Sequence, residues 1–182
     1  LLRKPRDLWL QGRAAFSEPM FGLHSNGERY WYWVKPGEPA AYVGRYGGPA
    51  ADEFPLRPDY LIRTLGIFPI PDELWVFRRG DDWDVIQFMA VSLSGAETAV
   101  ANPQVRVMLS LVKEVSIERR HHDPVEVRLY DMGGEPIVVT RLEDYAEVDG
   151  VRMPSRLVYH FVPIDATFTL DLKDMSLTKD LN

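Results

Sequence analysis

The chain contains no cysteine. That absence excludes disulfide frameworks, thiolate zinc sites and cysteine nucleophiles, and it suits the cytosol and a bacterial envelope equally. No run approaches the roughly 20 apolar residues that a helix needs to cross a bilayer. Concentrated positive charge is missing as well. Against 27 Asp and Glu there are 21 Lys and Arg, a formal net charge of −6, and the basic residues gather only into pairs such as Arg78-Arg79 and Arg119-Arg120. A nucleic-acid grip needs a cationic face, so nucleic acid is not an expected partner.

Catalytic signatures are absent too. The sequence has no phosphate-cradling Gly-rich loop with a following Lys, no GxSxG elbow, no HExxH and no dinucleotide fingerprint. The expectation is a protein that is not an enzyme, with no catalytic residues and no cofactor. "RRHHDP" (119–124) is the one polar cluster that invites a metal reading. Adjacent His121 and His122 on a strand point to opposite faces and cannot hold one ion. His121 with Asp123 supplies two ligands where structural zinc takes four. The cluster reads as a solvated hairpin corner, and no metal is expected. His24 and His160 stand alone in sequence. Asp81-Asp82-Asp84 and Glu143-Asp144 read as charged loop edges, since no companion nucleophile or cleft signal accompanies them.

What is present is a β pattern. Hydrophobic residues make up 46% and charged residues 26% of 182, enough for one domain with a substantial core. In "QVRVMLSLVKEVSI", Val105, Val107, Leu109, Leu111, Val115 and Ile117 fall on one face by simple alternation, interrupted only by Lys113. "PVEVRLY" sets Val125, Val127 and Leu129 against Glu126 and Arg128, and "ATFTLDLKD" sets Phe168, Leu170 and Leu172 against Thr167, Thr169 and Asp171. "WDVIQFMAVSL" is apolar on both faces and reads as a central or doubly covered strand, and "DLWLQGRAAF" is a less regular one. Asn26-Gly27, Gly133-Gly134 and Asp149-Gly150 are hairpin dipeptides, so the strands from Val105 onward form a meander of about five. In "RPDYLIRTLGI", Pro58 suits a first helical turn, Gly66 a stop, and Leu61, Ile62 and Leu65 one apolar stripe. The sum is mainly β (α+β): one large curved antiparallel sheet with a short helical insertion near its middle, whose concave face encloses a ligand or a packed core.

"ERYWYWVKP" puts aromatics on both faces of one strand: Tyr30 and Tyr32 on one, Trp31 and Trp33 on the other. Ordinary two-sided packing and a ligand-lined face both account for it.

In its order of "HSNGERYWYWVKP", a Pro-rich loop, "PDYLIRTLGI", long alternating strands, "LYDMGGEP", "VDGVRMP" and "TFTLDLKDMSLTKDLN", the chain resembles the bacterial outer-membrane lipoprotein carrier (LolA-like) superfamily, closest to its envelope lipoprotein branch. The resemblance covers Asp7 to Asn182. It implies an unclosed, strongly curved barrel with helices over its concave side, holding lipid or lipoprotein acyl chains in the periplasm or at the outer membrane. The family's preceding helix, strands and lipobox cysteine have no counterpart in this chain. It is therefore expected to be a single LolA-like lipid-binding domain over 1–182 that lacks its N-terminal portion, with a membrane anchor in that missing portion, and with a lipid or lipoprotein acyl chain and an envelope protein as its partners. The family is often basic, unlike this acidic chain. On this reading Val107, Leu109, Leu111, Leu129, Phe168 and Leu170 line the sheet, Trp31 and Trp33 supply the aromatic face, and Leu61, Ile62 and Leu65 form the lid contact. The alternative is an envelope interaction or scaffold module with the same fold and a filled core.

Overall fold

A computed structural model describes residues 2–3, 7–13, 19–26, 28–35, 40–45, 58–64, 74–94, 106–173 and 175. The chain divides into two compact units, Leu1–Pro69 and Ile70–Asn182. Both are antiparallel β-structures, and neither sheet is closed among the described residues.

The first unit holds a five-stranded meander: β1 (Leu2–Arg3), β2 (Asp7–Arg13), β3 (Pro19–Asn26), β4 (Arg29–Val34) and β5 (Ala40–Arg45), in that spatial order. Asn26 makes the β3–β4 turn by accepting the backbone N–H groups of Glu28 and Arg29 at its Oδ1, at 3.1 and 2.9 Å, an Asx turn. One helix, α1 (Pro58–Thr64), lies alongside β3. It starts on Pro58 as the sequence suggests, and it buries Leu61, which is 4% exposed.

The second unit holds a seven-stranded sheet: β6 (Trp75–Arg79), β7 (Trp83–Ser94), β8 (Arg106–Glu118), β9 (Pro124–Tyr130), β10 (Pro136–Val148), β11 (Val151–Phe161) and β12 (Ala166–Asp171). Each strand pairs with its sequence neighbours, from β12 at one edge to β6 at the other. Strands β8 to β12 are the five-strand meander expected after Val105. Asp149 and Gly150 turn β10 into β11 with φ of 49° and 82°, left-handed at both positions as a two-residue hairpin requires. Gly134 does the same service in the β9–β10 turn at φ 85°, where Asp131 Oδ1 accepts the N–H groups of Gly133 and Glu135.

Two sequence expectations need correction. The first is the single large sheet. Among the described residues no ladder joins β5 to β6, and the strands form two sheets, one preceding and one following in sequence the segment that carries α1.

The second concerns β8. Its pairing with β7 shifts register between Phe88 and Met89: Phe88 faces Lys113, but Met89 faces Leu111. Val112 is the extra residue of a β-bulge, and a one-residue offset reverses every side chain beyond it. Lys113, Val115 and Ile117 therefore share a face, while Leu111 and Leu109 belong to the other. Burial agrees, since Val115 is 0% exposed and Leu109 is 55% exposed.

The inward face of the seven-stranded sheet is built in rows across the strands. Val115, Val127, Thr140, Tyr159 and Phe168 form one; Leu129, Val138, Phe161 and Ala166 form the next; Leu142, Leu157 and Leu170 form a third. Away from Met89, Val91, Leu109 and Leu111, which leave one stretch of it apolar, the opposite face is charged and laced with pairs: Gln87 with Glu114 at 2.9 Å, Arg128 with Glu126 at 2.7 Å, and Arg156 between Glu143 and Asp171 at 3.7 and 3.8 Å. This one-sided polarity is what separates a half-buried antiparallel sheet from a doubly covered parallel one.

Candidate functional site

The aromatic strand β4 is packed on both faces, and glycine makes that possible. On one face Tyr30, 3% exposed, lies over Gly44 of β5: a Cβ there would fall 2.2 Å from its ring and hydroxyl. On the other, Trp33 lies over Gly22 of β3, where a Cβ would meet the indole at 2.3 Å. Leu23 and Ser25 join Tyr30 on the buried face, with Tyr32 and Tyr42 stacked at 6.1 Å toward its margin. Burial raises the Tyr32 phenol above its ordinary value, and Tyr42 adds to the effect. Trp31 and Trp33, the pair expected to face a ligand, sit on the more exposed side. There His24 is stacked between Trp31 at 5.1 Å and Trp9 at 5.6 Å across three strands, a cross-strand ladder of the kind that stabilises sheets.

The lid residues are placed only in part. Leu61 is buried; of Ile62 only the backbone, within α1, is described. Leu65 lies outside the described residues.

The six sheet residues split. Leu129, Phe168 and Leu170 share the inward face. Leu109 and Leu111 lie on the outward face beside Val91 and Met89, and Val107 pairs with Leu93 in the same stretch of ladder. Simple alternation could not show this, because the bulge at Val112 leaves no mark on the hydrophobic pattern beyond the lysine that follows it. The inward face passes from complete burial at Leu129, Val138, Leu157 and Tyr159 to half-burial at Phe168 and Leu170, where the sheet ends at β12. Tyr159 and Phe168 meet ring to ring at 6.1 Å.

Polar groups interrupt this apolar face: Asp84, opposite Ile117 and 3.9 Å from Arg119 Nε, and two to which sequence reasoning assigned no role. Lys113 lies with its Nζ 5.2 Å above the ring of Phe88, a cation–π contact that lets a cation sit among apolar neighbours. Thr140 is fully buried, and its Oγ1 has no hydrogen-bond partner among the described residues. A buried hydroxyl without a partner costs about 1–3 kcal/mol. Thr140→Val, which replaces it with a methyl group of similar size, is expected to raise stability by about 1 kcal/mol in urea unfolding. A loss of stability instead would show that the hydroxyl is engaged.

The "RRHHDP" segment forms the β8–β9 turn, with His121 and His122 exposed. Glu118 organises it, accepting the backbone N–H groups of His121 and Arg120 and a contact from the His121 ring. The His121 N–H in particular holds the Glu118 carboxyl below the usual carboxylate range. Asp123 is engaged with Arg152, at 2.7 Å from Nη2 and 3.0 Å from Nε. Arg152 in turn lies over the ring of Tyr145 at 5.8 Å. The Tyr145 hydroxyl donates to the Pro124 carbonyl, and burial, with Asp123 adding to it, pushes that phenol well above its ordinary value. These contacts clamp the β8–β9 turn to β10 and β11. The solvated corner expected from sequence is what forms, with a structural ion pair beside it.

No protein family, curated protein or solved structure matches the chain in sequence or fold comparison.

Proposed function

We propose that this chain is a non-enzymatic binder or carrier of lipid, or of a lipoprotein acyl chain, in a bacterial cell envelope. The acyl chain would lie on the inward face of the seven-stranded sheet at its β12 margin. The observation that supports this is the graded burial of that face: an apolar surface continuous from Leu129 to Phe168 and Leu170, ending half-covered at a sheet edge. Each methylene taken from water there contributes about 0.8 kcal/mol. Ten of them would supply about 8 kcal/mol before the cost of ordering the chain. Release then needs only a shift between covered and uncovered states of the margin.

Native mass spectrometry of gently purified protein, with organic extraction, tests the reading. The expected result is a discrete added lipid mass that is lost in Phe168→Glu and retained in Leu109→Glu, because Leu109 lies on the opposite face. A bare protein mass in the presence of added fatty acid and lipopeptide would overturn the proposal.

One observation favours a second reading, an interaction module with a filled core. Val127, Leu129, Val138, Leu157 and Tyr159 are each 0% exposed, so side chains already occupy the middle of the face.

A further inference from the structure

β6 ends the seven-stranded sheet. It pairs with β7 on one side, and no described strand pairs with it on the other. An edge of this kind offers a row of N–H and C=O groups to any extended chain, and proteins ordinarily blunt it with charge, proline or a cover. Here Leu74, Trp75, Val76 and Phe77 are 50%, 47%, 45% and 47% exposed, and every residue from 74 to 80 is exposed. Trp75 and Phe77 face the side of Phe88 and Ile86, and Val76 faces the side of Gln87, so the edge is apolar above and below its own plane. On the outward side the apolar surface runs on into Val91 and Leu109, 52% and 55% exposed.

The strand then changes character. Arg78 and Arg79 follow directly, both exposed, and neither has an ion-pair partner among the described residues. Elsewhere in this unit Arg119, Arg128, Arg152 and Arg156 each contact a carboxylate. Asp81 and Asp82 lie past the end of the strand. Their turn is held through its backbone, with Arg119 donating to the carbonyls of Gly80 and Asp81 at 3.4 and 3.1 Å, and neither carboxylate reaches the arginine pair.

We infer that β6 is a strand-addition site for an extended segment of another protein, apolar with an acidic N-terminal end. The segment docks antiparallel: its acidic residues lie opposite Arg79 and Arg78, and its apolar residues follow opposite Phe77 and Trp75. Main-chain hydrogen bonds and the apolar pairs hold it, while the arginines set direction and register. A second copy of the chain fits this edge less well. Two β6 strands paired antiparallel about Phe77 would set Arg78 against Val76 and Arg79 against Trp75, and would bring no carboxylate to either arginine. The inference is independent of any lipid at the β12 margin.

Two synthetic peptides of one composition test it: Asp-Asp-Val-Thr-Val-Thr-Val and the reverse order, titrated by calorimetry with amide hydrogen exchange read over 74–79. The acid-first peptide is expected to bind at least about tenfold more tightly than the reversed one and to slow exchange in β6. Arg78→Glu with Arg79→Glu, at exposed positions that leave the fold intact, should abolish that preference. Equal binding of the two orders, or binding of neither, overturns the inference. It is also overturned if the amides of Trp75, Phe77 and Arg79, which point away from β7, are already protected in the dilute free chain, which would place a segment of the same chain on the edge. Dimerisation that the Arg78 and Arg79 changes leave untouched would assign the edge to a second copy.

Discussion

Leu129→Ala is expected to lower the unfolding free energy by about 2–5 kcal/mol, whereas the same truncation at Leu109 should change it by about 0.5 kcal/mol or less. The two leucines sit on neighbouring strands and read alike in sequence. Leu129 is 0% exposed and lies in the inward row with Val138, Phe161 and Ala166. Truncating it removes three carbons from a packed face whose neighbours on both sides are fixed by ladder hydrogen bonds, so the cavity collapses little. Leu109 is 55% exposed on the outward face, and alanine there leaves no cavity. Urea unfolding, with backbone exchange in β8 to β11 as a local probe, separates the two outcomes. Similar costs at both positions would mean that the register of β8 does not shift at Val112.

Gly44→Ala should destabilise the five-stranded sheet by about 1–3 kcal/mol, an overpacking cost. The added Cβ would stand 2.2 Å from the Tyr30 ring, and Tyr30, 3% exposed, has no nearby solvent space for a small adjustment. The ring must leave its place or β4 and β5 must separate. A double-mutant cycle makes the cause visible. Tyr30→Ala is costly on its own, but on that background Gly44→Ala should become nearly neutral, because the atoms that clash are gone. Additive costs would instead assign the effect to the β5 backbone. The corresponding pair on the opposite face is Trp33 over Gly22, so β4 can carry bulk on both sides only because each neighbouring strand supplies one glycine.

Much of this architecture is legible in the sequence, and the reasons are local. Asp149-Gly150 specifies its hairpin because few other dipeptides take two successive positive φ angles without strain. β9 and β12 alternate as read, down to the exposed Thr167, Thr169 and Asp171 between half-buried partners. Pro58 marks the start of α1. What sequence reading misses is pairing over distance. Whether β5 meets β6 depends on the hydrogen-bonding of strands nearly thirty residues apart, and no composition in the intervening loops encodes it. The bulge at Val112 leaves only a faint trace, a lysine in an apolar series. Lys113 does lie on the inward face as alternation predicts, and the residues before it are the ones that turn outward. Of the candidate lining residues, those of β9 and β12 therefore share the inward face, and Leu109 and Leu111 of β8 lie on the other. For β4, alternation separates tyrosines from tryptophans, but which pair is more deeply buried depends on glycines in strands that the pattern of β4 cannot see.

The bulge also divides β8 into two stretches that answer to different demands. From Lys113 to Ile117 the odd-numbered positions are constrained by volume, since each fits against side chains of β7 and β9. From Leu109 to Leu111 the odd-numbered positions face outward, where the constraint is whatever that surface meets. Drift through the first stretch should keep size and shape; drift through the second is free to follow chemistry. One unpaired residue thus lets a single strand take up changes in its outer contacts without disturbing the packing it shares with its neighbours.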